Sequence, residues 1–256
     1  MTEPTTKTYY KVLRRDPSGT LHSCHGSTMA WPAPTADGPG EWLPPVKPRM
    51  CSTGYHLTTD PARWFDAADR VVFAVEHDGE MVSDGGDKVS VEMCRLVREL
   101  THAELAELRI FVSGSHEAFG SASVTACDSA SVRAFGSASV TAYDSASVRA
   151  CGSASVTAYD SASVTAFNSA SVRAFGSASV TAYDSASVTV YDSASVRASG
   201  KSMCQLHWRA AATLWEQATA VAFGQSAFVA HGTSAVIDRR GDVVAVVVGD
   251  GAVELK

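Results

Sequence analysis

The sequence predicts a mainly β chain: a parallel β-solenoid built as a two-sheet roll with two octapeptides per coil, preceded by a small α+β N-terminal domain and closed by a C-terminal β-hairpin cap. Three observations predict it. From Ala118 to Arg197 ten octads follow without a gap, each spelling Ala, aromatic or Cys, Gly/Asp/Asn, Ser, Ala, Ser, Val, Thr/Arg, with Val190 the one exception at position one. Repetition at a fixed short period marks an array in which each unit buries its apolar face only against its neighbours. Positions five to eight and the next position one read Ala-Ser-Val-Thr-Ala, a strict alternation that makes a five-residue strand with Ala, Val and Ala facing in and Ser and Thr or Arg facing out. Position three holds only Gly, Asp or Asn, the residues that most readily take a left-handed backbone, so positions two to four form the corner.

The filling sets the size of the coil. Two octads per coil give a flat roll, whereas three give a triangular prism. Ala-Val-Ala is a thin interior that suits two closely opposed sheets and would leave a void at the centre of a prism, where lost contacts are costly. The period also outlasts the perfect repeats. In the same frame position one falls on Ala198, Leu206, Leu214, Ala222 and Ala230, and positions five and seven on Ala210/Ala212, Ala218/Ala220, Ser226/Phe228 and Ser234/Val236, all small or apolar. The solenoid is therefore expected over residues 110–237, about eight coils, or roughly 38 Å at ~4.8 Å per coil. The competing reading of Met203 to Val221 is an amphipathic helix, since Ala, Leu and Trp are helix-compatible. Residues 238–256, "DRRGDVVAVVVGDGAVELK", place turn residues at Arg240-Gly241-Asp242 and Gly249-Asp250-Gly251 between Val-rich strands, a hairpin that would cover an open sheet edge.

Residues 1–109 differ in kind and hold all nine prolines. "TYYKVLRR" and "LHSC" flank the turn Asp16-Pro17-Ser18-Gly19. "RVVFAVEHDGEM" is a strand expected to end at an Asp78-Gly79 turn, and "KVSVEMCRLV" from Lys88 is another. Asp60-Pro61 is expected to cap a short helix over "ARWFDAA", and Thr101-His102-Ala103-Glu104 spells a capping box opening "AELAELR". The Pro- and Gly-rich segment from Trp31 to Pro48 is a long loop.

Composition narrows the functions. A net charge of −6 with no basic run argues against nucleic acid as a partner. No apolar run approaches the ~18 residues of a membrane span, and with a polar start the expectation is a cytoplasmic protein without membrane contact. The six cysteines show neither C-x-x-C pairs nor His at ligand spacing, so no metal site and no cofactor are expected and the thiols are expected to be reduced. The candidate catalytic residues are His25 in "SCHGS", Tyr55 and His56 in "CSTGYHLTTDP", and Glu76 in "FAVEHDG". Two histidines and a carboxylate do general acid/base work if they converge; apart, Glu76 simply ends a strand and the histidines pack. The candidate interaction ladder is the file of aromatics Phe119, Phe135, Tyr143, Tyr159, Phe167, Phe175, Tyr183 and Tyr191, with Arg133, Arg149, Arg173 and Arg197 on the outer faces. Stacked at coil spacing, such a file either seals a corner or meets a protein partner or another copy.

The combination "YYKVLR", "SCHG", "CSTGYHLTTDP" and "FAVEHDG", followed by octads and by "AVAFGQSAFVAHGTSAVIDRRGDVVAV", resembles a family of phage and bacterial proteins that join a small domain with a Cys-x-x-Gly-aromatic-His motif to an octapeptide solenoid. That resemblance implies a phage or prophage connection and brings no activity. The Ala-x-Gly-x-Ser-x-Val rhythm is similar to the head repeats of trimeric autotransporter adhesins, which form parallel β-rolls. "HGS", "GYHLTTDPA" and the strand carrying Glu76 look like the short motifs of ADP-ribosyltransferase-like folds. The first expectation is thus a structural or interaction protein, a rigid scaffold. The alternative is a transferase in the N-terminal domain with the solenoid as a targeting or assembly module.

Overall fold

The structure, a computed structural model, describes residues 7–24, 29–67, 69–239, 245–248 and 251–254. They fall into two compact units, 1–110 and 111–256.

The first unit is an antiparallel sheet of β1 (Tyr10–Arg15), β2 (Leu21–Ser23), β3 (Ala30–Trp31), β4 (Tyr55–Thr58), β5 (Arg70–Ser83) and β6 (Lys88–Glu99), with one short helix, α1 (His102–Glu107). Its order is β3-β2-β1-β4-β6-β5, and β1 also pairs with β5, from Tyr10↔Ala74 to Arg14↔Arg70, so β1, β4, β6 and β5 close on themselves. Leu13, Leu57, Phe73, Val91, Cys94 and Leu96 fill the interior of this small barrel. The Asp16–Gly19 turn forms as the sequence expects, with the Asp16 carboxylate accepting the Ser18 and Thr20 N–H groups at 2.9 Å and Gly19 at φ 87°.

Asp78-Gly79 is not a turn. β5 runs through it, and the register slips between Asp78 and Met81, making a bulge in which Gly79 takes φ 78° and the Glu92 carboxylate receives the Glu80 N–H at 2.9 Å. The strand continues because Met81 and Val82 find partners in Val91 and Ser90, which the local Asp-Gly signal does not reveal. Asp60 makes no side-chain cap, and the expected helix is a single 3₁₀ turn, Pro61–Trp64. The capping box of α1 is present in both directions. The loop 31–48 is irregular yet tethered: the Gly40, Leu43 and Val46 N–H groups donate to the Leu96, Cys94 and Glu92 carbonyls at 2.8, 3.0 and 3.0 Å. Every third loop residue thus meets every second residue of β6.

The second unit is the solenoid. Alternate octads enter two sheets, of 8 and 11 strands, parallel except for the last two strands of the larger, and partners lie two octads apart, as in Val132↔Val148 and Val140↔Val156. Every position-three residue from Gly120 to Gly232 has positive φ, between 50° and 74°. Side chains there also reach the N–H one coil earlier: Asn168 to Gly152 at 3.3 Å, Asp184 to Asn168 at 2.9 Å, Asp192 to Gly176 at 3.2 Å and Glu216 to Gly200 at 2.7 Å, satisfying corner groups that lie outside the strand ladders. From Ala126 to Ala198 the inward residues at positions one, five and seven are at most 2 % exposed, so the facing and the thin interior are as the alternation predicts.

No helix interrupts residues 203–221; Met203–Leu206, Ala211–Leu214 and Thr219–Phe223 are strands. The octads are degenerate in letters but conserve volume, since Leu206 and Leu214 enlarge position one where Cys204, Ala212 and Ala220 shrink position seven. Ser202 and Ser234, buried at position five, donate to the Ser199 and His231 carbonyls at 2.5 and 2.8 Å and so leave no orphan hydroxyl. After Ala235–Arg239, the strands Ala245–Val248 and Gly251–Glu254 add antiparallel to the 11-stranded sheet. The expected turn residues 240–242, 249 and 250 lie outside the described residues, and Gly251 opens the last strand.

Candidate functional site

In the N-terminal unit β4 lies between β1 and β6, so Lys11 of β1 and Lys88 of β6 flank His56 from either side. They share a cleft of about 530 Å³ whose wall includes Cys24, Trp31 and Trp64. The Lys11 ammonium donates to the His56 carbonyl at 2.9 Å and sits 4.8 Å from the centre of the Trp31 ring; Lys88 sits 5.0 Å over Trp64. Burial pulls the Lys11 pKa down to about 8. His56 is likewise pushed below its ordinary value, by burial first and then by Lys88 and Lys11, and its Nε2 accepts the Cys51 N–H at 3.1 Å, an arrangement of the neutral ring. The Cys24 thiol, raised by burial, faces the Val12 carbonyl at 3.5 Å and is no thiolate. Among the described residues no carboxylate lines the cleft and neither lysine has an ion pair.

Of the four candidate catalytic residues, Tyr55 and His56 line the cleft. His25 lies outside the described residues. Tyr55 lines the cleft, but its hydroxyl donates to the Pro44 carbonyl at 2.8 Å. Glu76 stands elsewhere on β5, with its carboxylate 2.7 Å from Arg95 Nε and 2.6 Å from Nη2. Among the described residues the cleft therefore holds cationic donors and no carboxylate. Lys11 and Lys88 escape sequence reading because only the closure of β1, β4 and β6 brings them together.

On the solenoid the expected single file of aromatics is two files, because successive octads turn at opposite edges of the roll. One edge carries Tyr143, Tyr159, Phe175, Tyr191, His207 and Phe223, each ring stacked on the next at 4.8–5.2 Å. The other edge carries stacked pairs, Phe119–Phe135, Phe167–Tyr183 and Trp215–His231, separated by Cys151 and Ser199. Arg133, Arg149 and Arg197 lie on the 8-stranded face and Arg173 on the 11-stranded face. Arg133 approaches Glu117 at 3.7 Å, and Arg149 lies 4.4 Å over Phe167.

Among the described residues no group of three His, Cys, Asp or Glu side chains is arranged to hold a metal ion, and no helix is long and apolar enough to cross a membrane. No family model, curated protein or solved structure matches the chain. The likenesses to phage proteins, adhesin heads and ADP-ribosyltransferases rest on their motifs alone.

Proposed function

We propose that the protein is a scaffold whose solenoid presents periodic ladders of Ser, Thr, Arg and aromatic rings to a protein partner or to a second copy. The six-ring stack from Tyr143 to Phe223 carries this reading. The interior is filled by Ala and Val with no room for a ligand, so recognition falls to the outer surface, and a continuous half-exposed aromatic edge is the part of it with most affinity to offer. Replacing Tyr159, Phe175 and Tyr191 with Ser tests it, and Ser199 shows that Ser is accommodated at a position-two corner. The triple variant is expected to keep the far-UV circular dichroism of the parent and to lose association measured by light scattering. Unfolding of the variant, or unchanged association, would reduce the rings to corner seals.

The cleft supports a second reading for the N-terminal unit: it takes a small organic anion between Lys11 and Lys88. Two ammonium groups drawn against tryptophans, with the nearby Asp87 carboxylate engaged by Trp64 and Thr58 and no carboxylate among the described lining residues, favour an anion. Titration of the full chain with phenyl phosphate, with benzylamine as the cationic control, tests it. Saturable binding of the phosphate that is lost in Lys11→Met supports the reading, and indifference to charge sign overturns it. The transferase alternative would further require Glu76 to leave Arg95 and reach the cleft.

A further inference from the structure

The interrupted aromatic edge contains two missing rings, and the two gaps differ. At Cys151 the gap between Phe135 and Phe167 is filled from within: the Arg149 guanidinium, two residues before the corner, lies on the Phe167 ring at 4.4 Å. At Ser199 the equivalent arginine is Arg197, and among the described residues no guanidinium lies on Tyr183 or Trp215. Instead a groove of about 580 Å³ opens there, walled by Tyr183 and Trp215 and floored by Ser199, with Arg197 and Glu216 beside it. The two walling rings are 39 % and 37 % exposed. One skipped position puts them two coil spacings apart, roughly 9.6 Å, so one inserted ring would stack on both at the spacing found elsewhere in the ladder.

The opposite edge carries a ring that lacks a place. Trp208 occupies position three, where the perfect octads hold Gly, Asp or Asn, and it takes φ 62°. It is 70 % exposed, the most exposed large apolar side chain among the described residues. A bulky residue in the left-handed region is strained, and a ring this exposed buries little surface in the isolated solenoid. Trp208 follows Ser199 by little more than one octad, so knob and slot stand at the same level of the roll on opposite edges. Two solenoids lying side by side in the same direction therefore bring the Trp208 of one to the Ser199 slot of the next.

The geometry points to the Ser199 slot as the receptor for the Trp208 indole of a second copy, a lateral head-to-tail contact that leaves one free knob and one free slot in every assembly. This rests on the scaffold reading and names its partner as the chain itself. The contact is heterologous, so it builds open rows and not closed dimers.

Sedimentation velocity of the full chain tests it with two variants that each remove one half. Trp208→Gly deletes the knob and suits the left-handed corner; Ser199→Tyr fills the slot with the ring type found at the same position of other octads. The parent is expected to show concentration-dependent growth beyond the dimer. Each variant alone is expected to be monomeric, with association weakened at least about tenfold, as loss of a buried aromatic anchor implies. Their equimolar mixture is expected to stop at a dimer, because one intact knob meets one intact slot. Self-association that survives both single variants, or a mixture that stays monomeric, overturns the slot while leaving the scaffold reading standing. A parent that is monomeric at several hundred micromolar overturns the slot and confines the scaffold reading to foreign partners.

Discussion

Substituting Val156 probes the assignment of inside and outside along the strand Ser155–Ala158. Val156 is 1 % exposed and lies between Val140 and Val172 in the ladder, with Ala154 and Ala158 fully buried beside it. Val156→Ala removes two methyl groups, about 1.6 kcal/mol at ~0.8 kcal/mol each, and the cavity left in a close-packed seam raises the expected loss to roughly 2–3 kcal/mol. Val156→Asp is more damaging, since an unpaired carboxylate replaces the buried isopropyl group and its burial costs several kcal/mol. The acid would shift its pKa upward in the folded state. The sign follows: its folded form is favoured below the raised pKa and loses stability as pH rises toward 7, so Val156→Asp should melt higher at pH 4 than at pH 7 relative to the parent. Thr157→Asp, one residue on, faces outward between Thr141 and Arg173 and should change stability by no more than about 0.5 kcal/mol. Urea unfolding followed by far-UV circular dichroism at both pH values measures all three. Equal midpoints for the two Asp variants, or a Thr157→Asp less stable than Val156→Asp, would refute the facing.

Gly200→Ala should destabilise more than Gly120→Ala in thermal melts. Both corners have positive φ, but a Cβ on Gly200 would meet the Asp184 carbonyl oxygen at 2.8 Å, whereas nothing stands within 4 Å of one on Gly120; equal melting points would contradict the corner geometry. Lys11 should titrate near 8 in ¹³C NMR of the reductively methylated protein. Because the unfolded chain holds that proton up to about 10.5, stability should rise with pH between about 8 and 10.5, and the rise should vanish in Lys11→Met; a Lys11 that titrates above 10 would refute the burial. Glu104, held down to about 2 by Arg98 and by the Thr101 N–H and hydroxyl, favours folding above the ordinary glutamate range and loses that effect as pH falls toward 2. Glu104→Gln should flatten this acid limb in amide exchange of α1, and an unchanged limb would remove the capping box from the account.

The solenoid was legible because its determinants are local. The chirality of a corner is written in one residue and the facing of a strand in its alternation, so even the degenerate octads could be followed through Leu206 and Leu214. The two edges were less legible, because which corner an octad occupies depends on counting coils, and that is known only once the coil size is. In the N-terminal unit local signals misled where pairing partners decided the outcome. Asp78-Gly79 carries a strong turn signal, yet Val91 and Ser90 hold the strand through it. The cleft was illegible for the same reason: Lys11, His56 and Lys88 belong to strands far apart in the chain, and only barrel closure makes them neighbours. The slot has a partial signature, since Ser199 breaks the position-two pattern, but the difference between it and Cys151 depends on where the Arg149 and Arg197 side chains lie.

The alternation of octads between two edges gives the repeat a parity. Inserting or deleting two octads lengthens or shortens the array by one whole coil and returns every later residue to its own edge. Inserting one octad between Phe119 and Val190 preserves every strand and every corner yet transposes all that follows: Tyr191 and His207 would continue the file that Phe119 begins, and the C-terminal strands would grow from the other sheet. Lineages of such a chain should therefore vary in length by even steps wherever the two edges do different work, and by odd steps only where they do the same.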